Sequence, residues 1–376
     1  MNICINCSNL HNGGGVQVAS SFINELLETG ECGNLKLSIF VSTEVDENIV
    51  NGKNNINDYR VIDTYGLNDF WIHKKMFDSF DLVFTIFGPC YYPIKGVSIV
   101  GFAQPWIIMP KNECYSRLSL VARVKTRIKF FLQTLFFKNA DSLVVELEHV
   151  KKGIVEKGIM KEENIFIVHN TVSSIYLDRK YWNNIDYNFN KSNNLKIGFL
   201  GRDYSHKNTN YLLAVKEILT NQFELNVDFF VTLNDDEWAL KSEEFKKKIY
   251  NIGALKVAQC PNFYRAMDAI IFPSLLECFS ATPLETMIME RPLFASDRGF
   301  VRDVCGNYAH YFDPIDAFSG AQLIFNYFSA ESCQSNLENL KNARFHALSF
   351  SNPKKRANEY LDVICSFIKQ NRQDNV

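Results

Sequence analysis

The sequence predicts an α/β protein of two doubly wound domains with parallel sheets, and three observations carry that prediction. The chain has 376 residues, enough for about two domains of ordinary size. Short apolar runs bounded by turn residues alternate with longer helix-like stretches, the pattern of strands joined by crossover helices. The runs fall into two series separated by residues 182–194, a polar stretch rich in Asn with no apolar period.

The first series reads 3–7, 37–41, 82–87, 97–102, 142–145 and 165–168. The second reads 195–201, 227–232, 269–272 and 293–296, with helices such as 210–219 between. The expected domains are therefore 1–184 and 185–356, with the closing segment 357–376 returning as a helix to the first. Residues 51–58 read as a loop by composition. Two such domains are expected to form a cleft at the carboxyl ends of their sheets, where doubly wound folds bind ligands.

Forty Lys and Arg against 42 Asp and Glu leave a net charge of −2, so no nucleic-acid partner is expected. The 31 Phe raise the question of a membrane-spanning helix. No window holds the roughly 18 uninterrupted apolar residues one needs: 97–109 is broken by Gln104 and Pro105, and 130–137 is flanked by Lys129 and Lys138. The N-terminus has no signal-peptide pattern and reads as a first strand, so the expected location is the cytoplasm. Ten Cys read as small buried hydrophobes. Cys4 and Cys7 form a C-x-x-C inside a strand-like run with no second pair at ligand spacing, so no metal or redox site is expected there.

Three motifs carry chemistry. Gly13, Gly14 and Gly15 follow the first strand and lead into a helix, an arrangement that lets backbone N–H groups approach an anion. The dinucleotide fingerprint is incomplete, because Val18 stands where its third Gly would be. At the head of the second domain, Arg202 and Lys207 could hold a diphosphate and neutralise charge developing on it. The third motif runs from Phe272 to Glu285. Glu277 lies in a loop among apolar neighbours, where a carboxylate is costly unless polar groups meet it, as sugar hydroxyls would. Glu285 has a structural alternative, because Thr282-Pro283-Leu284-Glu285 reads as a capping box.

The pattern E-x7-E formed by Glu277 and Glu285, after Phe272-Pro273-Ser274 and before Arg291-Pro292, resembles family 4 of the retaining glycosyltransferases, with the GT-B fold of two Rossmann-like domains facing each other. The resemblance includes Gly13 to Gly15, Val168-His169-Asn170, Gly201-Arg202 with Lys207, the run Tyr264 to Ala269, and Tyr311 to Pro314. It implies that Glu277 meets a donor sugar, that backbone amides of Cys278, Phe279, Ser280 and Ala281 hold its hydroxyls, and that Glu285 binds the nucleotide ribose. It further implies that Arg202 and Lys207 hold the diphosphate and assist its departure. No metal cofactor is then needed, and the chain has no D-x-D. Where the family usually has E-G-F-G, this chain has Glu277-Cys278-Phe279-Ser280, and where many members carry a His on the donor sugar, Gln104 is the match. An amide can orient a hydroxyl but does not titrate.

Residues 115–138 carry Arg117, Arg123, Lys125, Arg127, Lys129 and Lys138 with no acidic residue, a charge of +6 on one helix-like segment. Leu118, Val121, Val124, Ile128, Phe131, Leu132 and Leu135 follow the helical period, with Phe130, Phe136 and Phe137 widening the stripe. Such a helix is either a core helix with a solvated basic face or one that rests on anionic lipid, each cation near the membrane contributing about 1 kcal/mol. The second reading is favoured, with Arg117, Arg123, Lys125, Arg127, Lys129 and Phe130 as contacts. The expected partners are a UDP- or GDP-linked sugar, a lipid-linked saccharide acceptor of surface-polysaccharide synthesis such as O-antigen or capsule, and the inner face of the cytoplasmic membrane. The rival readings are a nucleotide-sugar epimerase or phosphorylase on the same fold, and an inactive nucleotide-sugar-binding subunit.

Overall fold

The computed structural model describes residues 1–29, 36–49, 56, 58–189, 192–329 and 333–373. Apart from residue 56, the stretch 51–57 of the expected loop lies outside the described residues. The chain forms two units. The first comprises Met1–Pro110, Leu120–Asn170 and Asn352–Val376, and the second comprises Lys111–Ser119 and Thr171–Ser351.

The first unit is built on a seven-stranded parallel sheet: β1 (Asn2–Cys7), β2 (Lys36–Val41), β3 (Asp58–Val61), β4 (Leu82–Thr85), β5 (Val97–Gly101), β6 (Ser142–Val145) and β7 (Ile165–Ile167), in the order β3-β2-β1-β4-β5-β6-β7. β1, β2 and β4 are buried on both faces, which explains their unbroken apolar runs. Successive residues of β1 serve opposite faces. Cys7 enters the cluster of Phe22, Ile39 and Tyr360, whereas Cys4 enters that of Phe40 and Phe77. The two thiols of the C-x-x-C thus point away from each other, and burial raises the pKa of each. The last helix, Pro353–Gln373, belongs to this unit, and Tyr360 packs its ring on Phe22 and Phe84.

The second unit has a six-stranded parallel sheet: β8 (Leu195–Phe199), β9 (Val227–Val231), β10 (Tyr250–Asn251), β11 (Ala269–Phe272), β12 (Leu293–Ser296) and β13 (His310–Phe312), in the order β10-β9-β8-β11-β12-β13. The helix Tyr211–Gln222 buries Tyr211, Leu212, Val215 and Leu219, one face at the helical period.

The chain changes unit at 170/171, earlier than the polar stretch 182–194, and again at 351/352. Residues 171–184 are polar in sequence but tied to the second unit. Tyr176 packs on Tyr264, Trp182 donates to the carbonyl of Ile175 at 2.7 Å, and the Asn183 amide donates to Ala258 at 2.7 Å. Composition marked a linker where side-chain anchoring had already attached the chain. β3, β10 and β13 also lack a signal in the apolar runs. All three are sheet edges, which need no continuous apolar face.

Within the first unit, Glu146 follows β6 and is 6% exposed; Asn170 Nδ2 donates to it at 2.7 Å, and the buried Arg356 guanidinium donates to Asn170. Burial pushes the Glu146 carboxyl up to about 7. Between the ordinary carboxyl value of about 4.3 and pH 7 the folded protein holds this proton and the unfolded chain does not. Stability from this group therefore falls as pH rises through that window and is flat above it. Glu146→Gln keeps an acceptor for Asn170 without the proton. Its melting temperature should decline less than that of the parent between pH 5 and 8; equal declines would show that Glu146 does not contribute.

Candidate functional site

In the second unit the strand order reverses between β8 and β11, and the loops at their carboxyl ends flank the switch point where doubly wound sheets bind ligands. The loop after β8 carries Lys207 and the loop after β11 carries Glu277. Lys207 Nζ lies 2.7 Å from Glu277 Oε1, with side-chain exposures of 14% and 9%, and 5.4 Å from the centre of the Phe272 ring. Removing either partner of an ion pair this dry leaves a buried charge uncompensated, at a cost of about 3 kcal/mol.

The loops are held by backbone and amide bonds. The Leu275 amide donates to the His206 carbonyl at 2.7 Å. Asn208 ends the turn Ser205–Lys207 in the left-handed region, φ 58°, which Asn tolerates better than most residues. Its Nδ2 donates to the Pro314 carbonyl at 2.8 Å, and its Oδ1 accepts from Arg117 Nη2 at 2.7 Å. Arg117 thus braces the Lys207 loop. It precedes the basic helix, which begins at Leu120, and belongs with residues 111–119 to the second unit, whereas the other cations expected at a membrane belong to the first. Glu113 from the same stretch accepts from Arg298 at 2.7 Å.

Glu285 does not close a capping box. The helix starts at Ala281, before the expected Pro283, and its N-cap Ser280 makes no side-chain cap. The Glu285 carboxylate instead accepts from Tyr264 Oη at 2.7 Å. It keeps an opening to solvent in a dense surrounding that pushes its carboxyl above the usual range. Phe279, Ser280 and Ala281 are partly exposed at the head of this helix, whose first N–H groups have no helical acceptor, while Cys278 is buried.

Arg202 is placed differently from Lys207. Its Nε donates to Glu237 Oε1 at 2.7 Å and its side chain is half exposed. Glu237 also accepts from the Asp203 amide and forms a capping box with Asn234. The spacing Asn234-x-x-Glu237 signals that cap in the sequence. Nothing there distinguishes Tyr264, fully buried, from a core tyrosine.

The first unit carries a cavity of about 420 Å³ at its own switch point, between β1 and β4. Asn9, His11, Tyr91, Tyr92, Gln104 and Gln133 contribute to its wall. Asn9 Nδ2 donates to the Phe87 carbonyl at 2.8 Å and Gln133 Nε2 to Tyr91 Oη at 3.1 Å, whereas the buried Asn9 Oδ1 and Gln133 Oε1 have no partner among the described residues. Each such acceptor costs about 1–3 kcal/mol unless a donor arrives. Aromatic faces and amide acceptors suit the C–H faces and hydroxyls of a neutral sugar. His11 is seated by bonds of 3.0 Å to the Thr64 carbonyl and to Glu44, and by stacking on Tyr65. Burial alone would lower its pKa, but those bonds raise the net value. His11, Glu44 and Asp63 bring their donor atoms within 4.8 Å of one another, a spacing that could hold a metal ion; Asp63 is already engaged by Thr43.

Gly13 takes φ +69°, and a Cβ at Gly13 or Gly14 would meet nothing within 4 Å. The protein's own packing does not require glycine at Gly14, which leaves close approach of a ligand as a use for it. Gly15 instead packs tightly against Leu10.

The basic helix Leu120–Lys138 turns its apolar stripe outward. Val121, Val124, Ile128, Phe131, Leu132 and Leu135 are all exposed, and the packed side is Phe130, Gln133 and Phe137. The core-helix reading of this stripe fails. Phe130 stacks on Trp106 at 5.7 Å and is not part of the exposed stripe, while Arg127, Lys125 and Lys129 are exposed and Arg123 is half-buried. No helix among the described residues is long and apolar enough to cross a membrane.

Residues 194–323 match the family model of glycosyl transferases group 1, so the second unit carries a domain of that family. Over 201 residues the chain is 22% identical to the O-antigen chain mannosyltransferase RfbU of Salmonella typhimurium, covering 52% of this chain and 53% of the relative. The match therefore spans about half the length of that curated relative. Among solved structures, a glycosyltransferase from Rickettsia africae aligns with a TM-score of 0.69 at 16% identity, over 98% of this chain and 99% of the other. Anabaena HepE, solved in complex with UDP-glucose, aligns with a TM-score of 0.68 at 12% identity, over 97% and 99%. The fold is GT-B.

The buried pair gives a stability prediction. Lys207→Met leaves Glu277 uncompensated and should cost about 3 kcal/mol in urea unfolding, and adding Glu277→Leu should recover most of it. If the double variant is no more stable than the single one, the two side chains are not coupled.

Proposed function

We propose that the protein is a retaining glycosyltransferase that moves a hexose from a nucleotide-diphosphate sugar to a lipid-linked saccharide of a surface polysaccharide. The observation that carries this reading is the dry Lys207–Glu277 pair at the switch point of a glycosyl transferases group 1 domain. The relative's name, an O-antigen mannosyltransferase, supports the hexose and the pathway, and the UDP-glucose bound to HepE supports a nucleotide-sugar donor.

In this mechanism Glu277 accepts hydrogen bonds from donor-sugar hydroxyls, with amides of Cys278 to Ala281 holding others, and Glu285 meets the ribose. Lys207 and Arg202 neutralise the charge that grows on the diphosphate as its bond to the anomeric carbon breaks. The acceptor hydroxyl attacks on the face that the diphosphate leaves, and its proton passes to the departing phosphate oxygen. One C–O bond forms, one breaks, and no side chain needs to titrate. Lys207, with Arg202 once it leaves Glu237, supplies the positive charge that a divalent metal would otherwise supply, so the proposed reaction needs no metal. The cavity of the first unit takes a neutral sugar of the acceptor, whose hydroxyls satisfy Asn9 Oδ1 and Gln133 Oε1. The outward stripe and cations of the helix Leu120–Lys138 hold the protein on the anionic inner face of the cytoplasmic membrane.

Glu277→Ala should lower turnover with the cognate donor by about 10²–10³-fold while the protein remains folded. Near-normal transfer by this variant would overturn the assignment. A wild-type protein that isomerises the donor or uses free phosphate without an acceptor would favour the epimerase or phosphorylase reading, and one that binds donor without turnover would favour an inactive subunit.

A further inference from the structure

A second exposed apolar element lies beside the cavity of the first unit, at residues 65–75. Segment 65–75 presents Leu67, Trp71 and Ile72, with Trp71 and Ile72 exposed by 77% and 78%. The segment is a built platform. Its Asp69 accepts from the Tyr65 amide at 2.7 Å and from the Tyr92 hydroxyl, and Phe70 stacks on Tyr92 at 6.4 Å. The backbone is thus fixed while the Trp71-Ile72 pair faces solvent. Lys74 Nζ lies 4.4 Å from the centre of the Trp71 ring, Lys75 is exposed, and residues 70–77 contain no acidic residue.

Tyr91 joins this platform to the basic helix. Its ring lies against Gly66, where a Cβ would come within 3.0 Å of it, and packs on Phe136 at 4.8 Å, while its hydroxyl accepts from Gln133. Gly66, Leu67, Tyr91 and Gln133 all line the cavity, and Leu67 is more than half exposed. Leu67 and Gln133 thus place both elements in the wall of the cavity, and each combines exposed apolar side chains with cations; the one acid of the platform, Asp69, is engaged by Tyr65 and Tyr92. Aromatic and aliphatic groups flanked by Lys and Arg are what an anionic lipid interface accepts.

We infer that Trp71 and Ile72 form a second membrane anchor, and that one anionic lipid surface covers this platform and the helix Leu120–Lys138 together. The mouth of the cavity then opens at the lipid surface, and a sugar on a lipid anchor reaches Asn9 and Gln133 without its anchor leaving the bilayer. This inference rests on the membrane reading of the basic helix and adds a second, separable contact.

Co-sedimentation with vesicles of phosphatidylglycerol and phosphatidylcholine tests it, using the full chain, Trp71→Ser/Ile72→Ser, and Arg123→Glu/Arg127→Glu/Lys129→Glu. Both anchor positions are exposed, so the paired variant should melt like the parent. Its affinity for anionic vesicles should fall at least tenfold, and brominated lipid should quench the parent's fluorescence more than that of Trp71→Phe. If the triple variant is released while Trp71→Ser/Ile72→Ser binds like the parent, the second anchor is overturned and the helix reading stands. If the parent itself does not sediment, both readings fail and the two patches serve a protein partner.

Discussion

The contact between Lys207 and Glu277 joins the two loops that the reversal of strand order brings together in the second unit. A carboxylate among Phe272, Leu275, Leu276 and Cys278 is tolerable only because an ammonium group lies 2.7 Å away. Much of the surrounding detail serves that pair: the left-handed turn at Asn208, the amide bond from Leu275 to His206, and the guanidinium of Arg117 brought from residue stretch 111–119. The pair is costly as a structural device, since apolar residues of similar volume would stabilise the loops as well or better. On the proposed function it is a preorganised charge arrangement whose members would exchange each other for a ligand's phosphate and hydroxyls.

The two sheets illustrate why some elements are legible in a sequence. Central strands such as β1, β4, β9 and β11 are covered on both faces, and their apolar runs announce them. The edges β3, β10 and β13 carry residues such as Asp58, Arg60, Asn251 and His310, whose polarity is compatible with a strand only once its neighbour is known. The unit boundary was obscured for a related reason. Residues 182–194 read as the linker by composition, but the chain joins the second unit earlier, where a few anchors, Tyr176 and Trp182 foremost, fix residues 171–184 to it.

Of the candidate site, Glu277 was legible because a charge in an apolar loop demands a reason, and Lys207 because of its place at the head of the second domain; nothing in the sequence paired the two. Glu285 was ambiguous between a helix cap and a ligand group, and only the position of Tyr264 settles that it is not a cap. Arg202 looked equivalent to Lys207, yet Glu237, a residue with a local role of its own, draws it aside. In the basic helix, periodicity revealed the apolar stripe but not the direction it faces. That depended on Phe130, Gln133 and Phe137 claiming the packed side, with Trp106 and Tyr91 as their partners. The orphaned oxygens of Asn9 and Gln133 were beyond sequence reasoning, because a missing partner is a fact of three-dimensional placement.

The central claim is that the Lys207–Glu277 pair is the seat of a nucleotide sugar. Thermal unfolding with a panel of UDP-linked and GDP-linked hexoses tests it most directly. The cognate ligand at 100 times its dissociation constant should add about 2.7 kcal/mol to the stability of the parent. It should add nothing to the Lys207→Met/Glu277→Leu double variant. Equal stabilisation of both proteins would contradict the account.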